Sequence, residues 1–152
     1  MLCWDSTGAA TVDTKPSQGQ FIEIGIGPDL NGQSSPLCGL LQSGDLLCWE
    51  PNKADFGASQ GVFQHLSLAG FQGAALEPNG KLRSWGVNGP FLSSVPFSEV
   101  SVMSLPCGVL SNGDAGCYEQ PGGALVVHPG PFTSVVAGGL ANCGVRADGS
   151  FV

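Results

Sequence analysis

Charged residues are scarce in this sequence of 152 residues: they make up 11% of it, and only five are Lys or Arg. Nucleic acids and anionic membranes are bound mainly through clustered basic side chains. Five basic residues against twelve acidic ones give a formal net charge of −7, and no basic cluster is present. The composition therefore argues against a nucleic-acid partner and favours a basic or neutral protein partner.

Long apolar runs are also missing. No run approaches the roughly 18 residues that a membrane-spanning helix needs. The first residues, Met1 to Asp5, lack the basic region and apolar stretch that begin a secretion signal. We therefore expect no membrane insertion and no targeting segment within this sequence.

Glycine and proline are abundant, with 24 and 11 residues, both above average usage. Helices tolerate this composition poorly, whereas short strands joined by tight turns suit it. Apolar residues make up 42% of the chain, enough for a sizeable core. The sequence predicts an all-β fold in a single domain, residues 1–152.

Four segments of the sequence share one pattern, and this repeat carries most of the information. They are residues 38–49, 74–85, 107–118 and 143–152. Their turn glycines lie 36, 33 and 36 residues apart, and each follows Ser, Asn or Asp, residues that favour tight turns. An aromatic residue follows the first three glycines by five positions. The turn glycines are Gly44, Gly80, Gly113 and Gly149, and the aromatics, which we expect to pack between repeats, are Trp49, Trp85 and Tyr118.

A second shared element begins with a phenylalanine upstream of each segment. In the first three copies apolar residues alternate with polar or small ones, as in a strand that is buried on one face. Each unit therefore reads as three antiparallel strands with a tight hairpin between the last two. Such small sheets must stack to bury both faces. We predict about four short propeller blades, with units at residues 1–20, 21–62, 63–96, 97–131 and 132–152.

The stretches between these strands read as loops. We expect them to present a variable surface, since rigid blades leave them free to vary. The candidate surface consists of residues 5–20, 28–36, 50–60, 86–96 and 120–131.

Matched cysteines flank two of the hairpins: Cys38 and Cys48 in one unit, Cys107 and Cys117 in another. A hairpin with a three-residue loop places each pair directly across the ladder, within reach of a disulfide. The second unit has lost both cysteines together. Buried free thiols are the alternative, and we favour disulfides, which imply a secreted or cell-surface location.

Two further cysteines, Cys3 and Cys143, have no local partner. Residues 1–4 resemble the last strand of a unit, and the final hairpin stops halfway. Either a Cys3–Cys143 disulfide closes a ring, or the chain is an excerpt from a longer propeller. We favour the excerpt, because Leu2 and Val152 would occupy the same position in the ring.

The repeat consensus combines Phe-x-x-Val-x-x-Gly with a later Cys-Gly-Leu/Val, a turn Gly that can follow Asp, and Cys-Trp. This pattern resembles the repeats of the regulator of chromosome condensation superfamily. It is most similar to the cysteine-bearing branch, seen in exported bacterial proteins and plant crinkly-type receptor ectodomains, and to propeller-shaped β-lactamase inhibitors. The resemblance implies part of a seven-bladed ring and a protein-binding function. Nucleotide exchange, the role of the founding member, conflicts with the acidic balance.

Catalytic patterns are weak. The two histidines, His65 and His128, show no metal-ligand spacing, and the turn acids Asp45, Asp114 and Asp148 most simply serve turn geometry. We therefore expect no enzyme activity, no cofactor and no metal. The sequence favours a non-enzymatic protein-binding scaffold. The alternatives are an extracellular enzyme inhibitor, a guanine-nucleotide-exchange-type regulator, and a propeller hydrolase or lyase, which would need acids and histidines converging on the central channel. We also expect self-association through open sheet edges.

Overall fold

The computed structural model describes residues 2–4, 7, 10–12, 20–27, 37–49, 61–70, 72–86, 88–139 and 141–152. Within these ranges the chain forms strands and no helix, so the all-β prediction is confirmed. None of the described segments is thus a helix long and apolar enough to cross a membrane. The strands are β1 (Leu2–Trp4), β2 (Ala10–Val12), β3 (Phe21–Ile26), β4 (Leu37–Leu41), β5 (Leu46–Trp49), β6 (His65–Ala69), β7 (Gln72–Leu76), β8 (Lys81–Gly86), β9 (Phe91–Val102), β10 (Pro106–Leu110), β11 (Ala115–Tyr118), β12 (Leu125–His128), β13 (Phe132–Val136) and β14 (Cys143–Arg146).

Antiparallel pairing joins the strands in the order that the repeat predicts. One sheet has the order β3-β4-β5, and a seven-stranded sheet has the order β12-β11-β10-β9-β8-β7-β6. β13 pairs with β14, whose Val145 also bridges Phe151, and β1 pairs with β2. Three consecutive antiparallel strands therefore recur along the chain.

Two of these units contain a fourth strand, which the sequence analysis predicted as a loop. That prediction was wrong. Residues 86–96 and 120–131 were read as loops, but the first range contains the start of β9 and the second contains β12. β9 is continuous: Phe91 pairs with Ser84 of β8, whereas Val100 pairs with Gly108 of β10. One long strand thus ends one unit and begins the next, which explains the seven-stranded sheet.

The four hairpins close in the same way around their turn glycines. In each, the glycine N–H donates to the carbonyl three residues earlier, as from Gly44 to Leu41 at 2.8 Å. The φ angles of Gly44, Gly80, Gly113 and Gly149 are 89°, 79°, 88° and 84°. This left-handed conformation is unfavourable for residues with a Cβ, so the turn accounts for the glycine in every copy.

The hydrophobic core consists of clusters that lie between successive units. Each cluster joins the second and third strands of one unit to the first strand of the next unit. The first two clusters also contain residues from the second and third strands of that next unit. The first contains Cys38, Leu40, Leu46, Cys48, Phe63, Leu66, Ala75 and Trp85; the second Ala74, Leu76, Leu82, Phe97, Val100, Val102, Leu110 and Tyr118; the third Cys107, Val109, Ala115, Cys117, Phe132, Val135 and Ala137. These residues are buried because each small sheet stacks on the next one.

The Cys-Gly pair of the repeat has a packing reason. A Cβ on Gly39 would overlap the ring of Phe21, and one on Gly144 would lie 2.7 Å from the ring of Phe132. The glycine therefore makes room for the phenylalanine that begins the unit.

Candidate protein-binding surface

The first strands of the units, which we call the inner strands, are β3, β6, the second half of β9 and β13. Polar side chains on one inner strand accept backbone N–H groups of the next. The bonds are Leu66 N to Glu23 Oε2 (2.7 Å), Val102 N to Ser67 Oγ (3.0 Å), Val135 N to Glu99 Oε2 (2.9 Å) and Ala137 N to Ser101 Oγ (2.9 Å). Glu99 and Ser101 both reach 36 residues ahead, so neighbouring inner strands run in the same direction.

Because the inner strands are parallel to one another, corresponding ends of all units lie on the same side. One side, the turn face, carries the hairpins around the four turn glycines. There the carbonyl of Gly44 accepts the N–H of Phe63 at 2.8 Å, and the same bond recurs twice, from Phe97 to Gly80 and from Phe132 to Gly113. The turn face is therefore built alike in each unit.

The opposite side, which we call the loop face, consists of the segments that follow the inner and third strands. Its described residues are Gly27, Gly70, 88–90, 103–105, 119–124, 137–139, 141 and 142. Glu119 is the one ionisable side chain among them. Met103 is 43% exposed, and Gln120, Pro121 and Asn142 are exposed. The described part of this surface is thus nearly neutral and rich in amide and small side chains.

A buried amide holds part of the loop face in place. Gln72 is 1% exposed, donates from Nε2 to Ser84 Oγ at 2.6 Å, and accepts the backbone N–H of Asn88 at 3.2 Å. The Asn88 side chain donates to the carbonyl of Ser104 in the next unit. Ser84 and its partner Ala74 occupy the positions of the lost cysteine pair. Hydrogen bonds to Gln72 of the same unit and to Ser104 of the next unit therefore hold the loop after β8 in place.

A small cavity opens on the loop face between the last two units. Its volume is about 190 Å³, and it is lined by Ser104, Leu105, Cys107, Tyr118, Gly138, Gly139, Ala141 and Asn142. Tyr118 is 6% exposed, and its ring centroid lies 5.0 Å from that of Phe91. Burial raises the pKa of the Tyr118 hydroxyl. The cavity thus presents backbone and small polar groups with no formal charge.

Disulfides join Cys38 to Cys48 and Cys107 to Cys117, with Cα atoms 4.0 and 4.1 Å apart. Each pair lies directly opposite in its ladder, as the hairpin geometry requires. Cys143 is free and exposed, so the Cys3–Cys143 disulfide, one of the two alternatives that the sequence left open, does not form in this structure. The side chain of Cys3 lies outside the described residues.

The repeated aromatics differ in what the structure describes of them. Trp85 is 9% exposed and packs in the first core cluster, where a Cβ on Gly73 would overlap its indole. Its Nε1–H has no hydrogen-bond partner among the described residues. Tyr118 belongs to the second cluster. The backbone of Trp49 lies in β5, but its side chain is outside the described part.

A second cleft, of about 390 Å³, separates the last unit from β11 and β12. Its lining consists of Cys117, His128, Pro129, Phe132, Asn142, Cys143, Gly144, Arg146 and Val152. The Arg146 guanidinium lies 5.6 Å from the Phe132 ring centroid.

The titratable side chains elsewhere are dispersed. The other histidine is His65, whose Nδ1 lies 3.9 Å from Oε2 of Glu23. Within the described ranges no three His, Cys, Asp or Glu side chains group as a metal site would. Asp148 accepts bonds from Ser150, which lower the pKa of its carboxyl.

The sequence reading missed the polar inner-strand residues. Glu23, Ser67, Glu99 and Ser101 stand at the second and fourth positions after the starting phenylalanine. Their alternation was read only as evidence for a strand. A comparison of those positions between copies was the signal that could have marked them as contacts between units.

No family model and no curated protein matches this chain. Solved structures do. The CRINKLY WD40 ectodomain of the Arabidopsis thaliana receptor kinase ACR4 is similar to it, with 23% identity and a TM-score of 0.69 over 90% of this chain and 54% of that one. Yeast RCC1 (Prp20) matches with 14% identity and a TM-score of 0.68 over 95% and 45%. BBS1N matches with 16% identity and a TM-score of 0.67 over 99% and 56%. The fold is therefore of the β-propeller type, similar to RCC1, and the chain spans about half the length of these structures.

Proposed function

We propose that this chain is a non-enzymatic protein-binding scaffold and that its loop face contacts a protein partner. The observation that carries the proposal is the difference between the two faces. On the turn face the same hairpin bonds recur at all four turn glycines, whereas the described segments of the loop face differ in length and sequence. Binding residues concentrate on such loops, because the scaffold positions them without constraining their identity.

The chemistry of the loop face favours a protein over other ligands. Among its described residues the one ionisable side chain, Glu119, is acidic, which disfavours phosphate groups. Met103, Pro121 and the amides of Gln120 and Asn142 offer apolar contact and hydrogen bonds together, as protein interfaces do. Two similar structures are themselves protein complexes: Kap60 bound to yeast RCC1, and BBS1N with ARL6DN.

The same proposal includes an extracellular location and membership of the cysteine-bearing branch of these repeats. Two disulfides support both, because disulfides persist in oxidising compartments. Two similar structures are ectodomains of plant receptor kinases.

The test introduces two lysines on one face at a time and compares what each variant binds. Met103→Lys with Gln120→Lys alters the loop face, and Gln42→Lys with Ala147→Lys alters the turn face; all four residues are exposed. Each immobilised chain is incubated with the secreted proteins of the source organism, and retained proteins are quantified by mass spectrometry. We expect at least one protein to bind the native chain and the turn-face variant but not the loop-face variant.

Thermal melting of all three chains controls for folding. A protein retained equally by the loop-face variant, or lost only from the turn-face variant, contradicts the proposal. So does the absence of any protein enriched on the native chain.

A further inference from the structure

The inner strand β3 exposes three isoleucines, and the middle one stands at a position that every later inner strand buries. Ile22, Ile24 and Ile26, which we call the leading face, are 59%, 51% and 54% exposed. The residues at the position of Ile24 in the later units are Leu66, Val100 and Val135, which are 6%, 8% and 3% exposed. In those units the preceding unit covers the position.

The last unit exposes the complementary surface. Cys143, Val145 and Phe151, which we call the trailing face, include one exposed thiol and two side chains that are 42% and 82% exposed. The residues at the position of Phe151 in the earlier units are Leu46, Leu82 and Ala115, which are 3%, 0% and 6% exposed. Those at the position of Val145 are Leu40, Leu76 and Val109, at 0%, 2% and 4%.

Inside the molecule, these two kinds of surface always meet. In the first core cluster Leu40 and Leu46, at trailing positions, pack with Leu66, at a leading position. The second and third clusters combine the same positions in the next units. The three internal junctions therefore show which surface covers a leading face and which covers a trailing face.

We propose that a second copy of this chain binds head to tail, with the trailing face of one copy packed on the leading face of the other. Both halves of the junction are present on one chain, and neither contains a charged side chain. The chain covers 54% of one similar propeller and 45% of another, so two copies provide about one ring's worth of units. We therefore expect a dimer with two such junctions.

The test uses the complementarity of the two faces. Sedimentation velocity over a concentration series should show the dimer for the native chain. Ile24→Asp and Val145→Asp should each weaken self-association by at least about tenfold, since each buries a charge in an apolar junction. An equimolar mixture of the two variants should dimerise more strongly than either alone, because one junction in the mixed dimer combines two native faces.

Leu92→Asp is the matched control, because Leu92 is 47% exposed and lies on neither face. It should leave the dimer unchanged. A monomer at all concentrations overturns the proposal and leaves the faces to another partner. Association that only one of the two face variants weakens, or that mixing fails to restore, also overturns it, because either result excludes a head-to-tail junction.

Thiol labelling provides a second readout on folded protein. Cys143 is exposed in the single chain, whereas Cys38 and Cys107 at its position are 0% and 2% exposed. In a Cys3→Ser variant, maleimide labelling of Cys143 should slow as protein concentration rises. Labelling that is independent of concentration while a dimer forms contradicts the assigned face.

Discussion

Removing the Glu99 carboxylate tests whether side chains on the inner strands hold successive units together. Glu99 Oε2 accepts the backbone N–H of Val135 at 2.9 Å, and Oε1 accepts the hydroxyl of Ser134 at 2.8 Å. Glu99→Ala deletes both bonds and leaves a donor on Val135, which is 3% exposed.

The magnitude follows from the two bonds. A hydrogen bond to a charged group contributes about 1.5–3 kcal/mol when buried. Glu99 and Ser134 are only half-buried, so solvent screens part of that value. We expect Glu99→Ala to lower the free energy of unfolding by about 2–3 kcal/mol and Tm by about 4–12 °C. Glu99→Gln keeps one acceptor and should cost about half as much.

Urea unfolding gives the global effect, and native-state hydrogen exchange gives the local one. The Val135 amide should exchange faster in Glu99→Ala, whereas the Ala137 amide, which Ser101 holds, should change less. Glu119→Ala removes the same charge from an exposed site and is the control. Equal stability of the two variants, or unchanged exchange at Val135, would refute the role of Glu99 in joining the units.

Three other predictions rest on single features. Dithiothreitol should lower Tm, since opening each disulfide loop of about ten residues costs about 2–3 kcal/mol; an unchanged melting curve would contradict this. Ala74→Cys with Ser84→Cys should form a third disulfide, detectable as the mass of two lost hydrogens, because these fully buried residues face each other as the native pairs do; its net gain should be smaller, about 1–2 kcal/mol, since the Gln72–Ser84 bond is lost. Hydrogen bonds from Arg83 lower the pKa of the Glu77 carboxyl below 4.5. The folded chain therefore binds that proton less readily than the unfolded one, so this stabilisation is present above pH 4.5 and declines below it as the carboxyl is protonated. Urea unfolding at a series of acid pH values should show a shallower decline for Glu77→Gln, and an identical slope would contradict it.

The repeat was readable from sequence because its causes are local. A turn glycine such as Gly44 is required by a φ angle of 89°, which is set within a few residues. The hairpin length then fixes the register, so Cys38 faces Cys48 whatever the rest of the chain does. These features, and the all-β fold that follows from them, needed no knowledge of distant contacts.

The fourth strands were not readable in the same way. Residues around Phe91 and Leu125 lie near many Gly and Pro residues, which suggested loops. The first half of β9 pairs only with β8, and β12 pairs only with β11. In Phe-Leu-Ser-Ser-Val-Pro and Leu-Val-Val-His the apolar residues do not alternate with polar ones, so neither segment shows the period-2 pattern that marks a half-buried strand in sequence.

Local sequence alone therefore determined where each hairpin turns and which cysteines can meet, because both depend on contacts within about ten residues. Only the tertiary structure decided that Glu99 bonds to Val135, that Cys143 remains free, and that Ile24 is exposed while Leu66 is buried. The physical reason is that these properties depend on which unit lies beside another, and a single repeat carries no record of its neighbours.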